Sequence, residues 1–127
     1  MSDYNVGDIV LVSNFRYQDG SQGSLHNFVI MDTNMDEFEI NTLDYLCFLV
    51  SSNMTKSNSV NPNYPFNEPI MPTPENGLLK PSHVKCDVLY EEVAEEDIIM
   101  KVGTVMPAQY KKFVQLFQQS LGNLESK

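Results

Sequence analysis

The sequence predicts a mainly β domain closed by a C-terminal α-helix. Short apolar runs recur along the first hundred residues, turn residues separate them, and sustained three- and four-residue apolar spacing is found only at the end. "VGDIVLVS", residues 6–13, brings Ile9, Val10, Leu11 and Val12 together as a buried strand. Phe28–Met31 and Tyr45–Val50 are the next apolar runs. Between them "DTNMDEFEINTLD" is polar, with Phe38 and Ile40 at strand spacing. "HVKCDVLY", 83–90, and "IIMKVGTV", 98–105, add two more strands. Short strands parted by Gly, Asn and Asp turns point to a small barrel or sandwich.

Residues 51–82 break the pattern, since they hold six of the seven prolines together with many Ser and Asn. Proline removes a ladder donor and fixes φ, so a regular central strand is not expected there. The stretch reads as a long, partly ordered loop in which only "NYPF", 63–66, can pack. Loops of this length are more often functional than incidental. At the end, Pro107 suits a first helical turn. Tyr110, Phe113, Val114, Phe117 and Leu121 then form one apolar stripe, with Gly122 as the expected stop.

The 127 residues make one domain, 42% apolar, with a net charge of −9. Eight basic residues against 17 acidic ones argue against a broad basic footprint for nucleic acid, though not against a small local site. "EEVAEED", 91–97, reads as a solvated face rather than a metal site. No basic region precedes an apolar run at the N-terminus, and no apolar stretch is long enough to span a bilayer. The chain is therefore expected to be soluble and cytoplasmic. Cys47 and Cys86 are expected as buried free thiols. No Cys/His spacing suggests a metal ligand set, so neither a metal nor another cofactor is expected.

"VGDIVLVSNFRYQDGSQGSLHNFVIM" resembles the opening of the MazF/PemK toxins, with a Gly-Asp strand followed by a "GSEQ.G.RP" loop. "ENGLLKPSHVKCDVLY", 75–90, is similar to that family's "GL.k.S.V.cDQ" strand. "MKVGTVMPAQYKKFVQLFQQSLG", 100–122, is similar to its closing strand and helix. Order and spacing agree over roughly half the chain. The resemblance implies a small SH3-like β-barrel, a homodimer, and the toxin role in a type II toxin–antitoxin pair, with an antitoxin-like protein as partner. It also implies metal-free cleavage of single-stranded RNA, by attack of a ribose 2′-hydroxyl on the adjacent phosphate. Such a reaction needs a base, an acid and phosphate donors, and aromatic side chains to hold unpaired bases.

The departures fall where that chemistry lies. The family's Arg-Pro pair is His26-Asn27 here, and the "SEQ" acid is replaced in "Ser21-Gln22-Gly23". Histidine carries only part of a charge near neutral pH, where arginine offers a permanent planar fork. Ser51 or Ser52 matches the family's hydroxyl at the end of the third strand. Lys85-Cys86-Asp87 is similar to an "RCD" triplet whose charged members act as acid and base. The resemblance thus implies Asp87 as base, Lys85 or His26 as acid, and Ser21, Gln22 and Ser51 steadying phosphate. Arg16 could reach the loop from its near side. Each residue also has a plain structural reading. Asp87 could tie down a loop through Lys85, His26 could be a satisfied structural histidine, and the serines could cap backbone. The alternative function is a catalytically inactive binding protein on the same fold that engages a protein partner or nucleic acid.

Overall fold

The computed structural model describes residues 3–17, 19–35 and 43–125. Seven strands and one long helix follow in order: β1 (Asp8–Arg16), β2 (Gln22–Met35), β3 (Leu43–Ser51), β4 (Asn67–Ile70), β5 (Ser82–Lys85), β6 (Tyr90–Ala94), β7 (Ile98–Thr104) and α1 (Pro107–Glu125). Every pairing is antiparallel. The sheet runs β4-β5-β3-β2-β1-β7, with β6 pairing β3 beside β5, and it does not close among the described residues. The protein is mainly β with one C-terminal helix. No helix among the described residues is long and apolar enough to cross a membrane.

The unbroken apolar runs arise because the central sheet is covered on both faces. Alternate residues of a strand point to opposite sides. Ile9, Val29, Phe48 and Val50 join one core cluster with Phe113 and Leu116 of the helix. Val10, Val12, Phe28, Ile30, Tyr45 and Leu49 join a second, with Val93 and Ile98. The helix stripe packs as expected at Tyr110, Phe113, Val114 and Phe117. Leu121, however, is exposed, and the helix runs through Gly122 to Glu125. A glycine costs about 1 kcal/mol in a helix, too little to end one by itself. Tyr110 ties the helix to β2, its hydroxyl donating to the Met31 carbonyl at 2.8 Å. Tyr110→Phe is expected to cost about 1 kcal/mol, read as a lower urea midpoint with an unchanged slope.

Three sequence expectations change. The 83–90 strand breaks at a Cys86–Asp87 turn into β5 and β6. The 51–82 segment contains a 3-10 turn at Met54–Lys56 and the strand β4, with Pro69 in it. Because β4 is the sheet's edge, the missing proline N–H breaks no inner ladder. Phe66 of "NYPF" packs on the first core. The Gly/Ser stretch after Asp19 is not an open loop either, since β2 begins at Gln22. The Phe38 and Ile40 spacing lies outside the described residues. Cys47 and Cys86 are free and buried, and burial raises both thiols far above their usual range.

Residues of the three segments quoted above meet in space. Gly7, at φ 91°, takes the Ile30 carbonyl and offers its own to Val105. Asp8 is buried, accepting from Thr104 Oγ1 at 3.0 Å and pairing with Lys101 at 3.4 Å. Gly103 passes so close to the Asn76 backbone that a side chain would collide with it. The Gly-Asp and Gly-Thr pairs therefore have structural roles.

Candidate functional site

The strand register assembles a cleft. Asn27 pairs with Val50 and Val50 with Val84, so one step further along aligns His26, Ser51 and His83 across β2, β3 and β5. Directly opposed residues share a face of the sheet. Lys85, two residues past His83, lies on that face opposite Asn67 of β4. The 3-10 turn brings Asn53 and Lys56 to one wall, the β1–β2 turn brings Tyr17, Asp19 and Ser21 to another, and Tyr64 and Tyr90 complete the rim. This open cleft has a volume of about 640 Å³, within the usual range for a ligand site.

Both histidines of the chain therefore line one cleft, joined by two lysines. Among the described residues that line it, one carboxylate stands against them, Asp19. Its Oδ1 accepts from the Ser21 amide at 2.9 Å and the Ser21 hydroxyl at 2.6 Å, which holds the carboxyl below its usual range. The Ser21 hydroxyl proton is committed to that bond. Ser51 differs, because its oxygen accepts from the Asn53 amide at 3.2 Å and its O–H proton can point elsewhere. Lys85 pairs with Asp87 at 3.4 Å. Asp87 is exposed on the turn and lies outside the cleft lining, so it reaches the cleft only through that ammonium.

His26 is half-buried among Phe15 and Phe28, with ring centroids 6.1 and 6.2 Å away. Burial holds its pKa below the ordinary histidine value, partly offset by the backbone of Asn27 and Val50. His83 is 3% exposed, and its Nδ1 is buried with no hydrogen-bond partner among the described residues. Burial lowers its pKa most. The Asn53 backbone opposes this, while Lys85, Lys56 and His26 push the same way as burial. Both imidazoles are thus neutral near pH 7, with lone pairs able to take a proton. Tyr90 has its phenol raised by burial first, then by Tyr17 and Asp19, and stays protonated.

An NMR titration is expected to place both imidazoles below 6.5. A histidine whose folded-state pKa is depressed binds its proton more readily when unfolded, so folding stability should fall as pH drops from about 6.5 through the folded-state values. Loss of that trend in a His26→Ala, His83→Gln double variant would assign it to this pair.

Of the residues singled out from sequence, His26, Lys85, Ser21 and Ser51 converge on this cleft, and Asp87 joins through Lys85. Arg16 and Gln22 do not line it. They face a second cleft of about 540 Å³ on the other side of Tyr90. Arg16 does reach the turn, where its Nη1 donates to the Gly20 carbonyl at 3.1 Å. His83, Lys56 and the tyrosines were not visible as site residues in the sequence. The one available signal was the His83–Lys85 spacing of two, which puts both on one strand face.

Among the described residues no group of three or more His, Cys, Asp or Glu side chains could hold a metal ion. No protein-family model matches the chain, and no curated protein matches it.

Proposed function

We propose that the His26–His83 cleft binds single-stranded RNA and cuts it without a metal, and that the chain is a toxin-like protein of the MazF/PemK type on an SH3-like barrel. The observation that supports this best is the convergence of both histidines and two lysines on one face of a protein whose net charge is −9. In this reading His26 takes the proton of a ribose 2′-hydroxyl, and the freed oxygen bonds to the adjacent phosphorus. The bond from phosphorus to the 5′-oxygen then breaks. The Lys85 ammonium, steadied by Asp87, gives that oxygen its proton. The products are a 2′,3′-cyclic phosphate and a free 5′-hydroxyl. Lys56 and the Ser51 hydroxyl face the phosphate, and Tyr17, Tyr64 and Tyr90 offer faces on which unpaired bases stack. We assign the base to His26 rather than Asp87 because the Asp87 carboxylate is paired with Lys85 outside the lining.

Homodimerisation and capture of an antitoxin-like chain belong to the same proposal. Beside His26, an apolar groove of about 550 Å³ carries the exposed side chains of Leu25, Leu79 and Met100. We assign such contacts to that surface. The second reading, an inactive binding protein, is favoured by the acidic charge and by histidine in place of the family's loop arginine.

The deciding experiment incubates purified protein with a long single-stranded RNA in the presence of a chelator. Fragments ending in cyclic phosphate support the nuclease reading. Intact but bound RNA supports the binding protein. RNA neither bound nor cut rejects both nucleic-acid readings.

A further inference from the structure

The second cleft adjoins the first at Tyr90, whose side chain lines both. Its chemistry is the reverse of its neighbour's. Arg16 faces the carboxylates of Glu91 and Asp97, so acidic groups outnumber basic ones here, whereas lysines outnumber carboxylates on the first side. A phosphate is attracted to one side of Tyr90 and repelled from the other. A base carries no charge and suffers no such penalty.

The polar atoms of this cleft are partly spent, and what remains is specific. Gln22 Nε2 donates to Asn14 Oδ1 at 2.9 Å and to the Gly23 carbonyl at 3.0 Å, which leaves the Gln22 side-chain oxygen as an acceptor. Arg16 uses Nη1 on Gly20, and the rest of its fork still has donors. Asn14 holds φ 55° within a strand, a conformation that L side chains seldom adopt and that clusters at functional positions. The cleft thus offers carboxylate and amide acceptors together with one arginine fork. Among the four bases, guanine alone presents adjacent N1–H and N2–H₂ donors with O6 and N7 acceptors.

We propose that this second cleft is a guanine-reading subsite. A nucleotide bound with its phosphate toward Lys56 and Lys85 passes a neighbouring guanine over Tyr90. Glu91 or Asp97 then accepts from the guanine N1–H and N2–H₂, and Arg16 donates to O6 or N7. This rests on the RNA-binding reading above and adds a sequence preference to it.

The test uses the full chain and five pentanucleotides, a single variable base in a run of uridines, with 2′-deoxyribose throughout so that none can be cut. Guanine, inosine, adenine, cytosine and uracil occupy the variable position in turn, and affinity is measured by fluorescence anisotropy. Guanine is expected to bind about tenfold or more tighter than uracil, and inosine, which lacks the N2 amine, to lose most of that gain. A Glu91→Gln, Asp97→Asn double variant should lose the guanine preference and bind the guanine and uracil oligomers alike. Equal binding of all five, or a guanine preference that survives the double variant, overturns this inference and leaves the RNA reading standing. Binding of none of them overturns this inference, and the RNA reading is then judged by the cleavage and binding experiment above.

Discussion

His26→Ala is expected to lower metal-free RNA cleavage by about 10²–10⁴-fold, the usual contribution of a positioned proton acceptor, while the RNA stays bound. The imidazole edge meets Phe15 and Phe28, and burial keeps the ring neutral, so the lone pair is available at a pH where an ordinary histidine would be partly charged. The parent rate should therefore rise with pH about a midpoint below the ordinary histidine value of 6.5. His83→Gln separates proton transfer from shape. It keeps a polar side chain at the floor of the cleft and removes titration. If His83 only contacts the bound group, affinity weakens and the acidic limb of the profile stays where it was. A displaced acidic limb would make His83 the proton carrier instead. Cleavage that survives His26→Ala unchanged would remove His26 from the chemistry.

The largest stability effect outside the apolar core is expected from Asn76→Ala. Asn76 is 1% exposed within "MPTPENG", part of the 51–82 stretch that reads from its composition as a long, partly ordered loop. Its Oδ1 accepts from the amides of Thr73 and Leu78, both at 3.0 Å, and its Nδ2 donates to the Met71 carbonyl at 2.8 Å. One amide thus replaces three backbone partners for a segment with no strand of its own. Alanine leaves those groups without partners, and the expected cost is about 3 kcal/mol or more. Chemical denaturation would show it as a lower midpoint. Gly77 of this segment lies against the Val102 backbone and Gly103 lies against the Asn76 backbone, each so close that a side chain would collide, so the segment has little room to relax. A loss below about 1 kcal/mol would mean the turn keeps its shape without the amide.

The elements were legible in the sequence wherever local periodicity had a single cause. β1, β7 and the helix start follow from apolar alternation and from Pro107. The uninterrupted run Phe28–Met31 pointed to a buried strand. Its assignment to two separate cores required the helix on one face and Val93 with Ile98 on the other. Where local signals compete, tertiary pairing decided. Pro69 enters a strand because that strand is an edge, and Gly122 stays helical because packing upstream outweighs its intrinsic cost.

By itself the sequence determined a mainly β chain with one C-terminal helix, two buried free cysteines, and a short set of polar residues worth testing. It held His26, Lys85 and Ser51 as separate candidates and assigned Arg16 and Gln22 to the same place. Only the tertiary structure decided which of them meet. Strand register is set by side chains packing across neighbouring strands, so the row His26–Ser51–His83 joins three segments whose spacing along the chain carries no trace of their contact. Gln22 shares a strand face with His26 but lies four residues away along β2, and Arg16 stands opposite Gln22, so distance along the strands, invisible to a reading that groups residues by chemistry, places that pair in the second cleft.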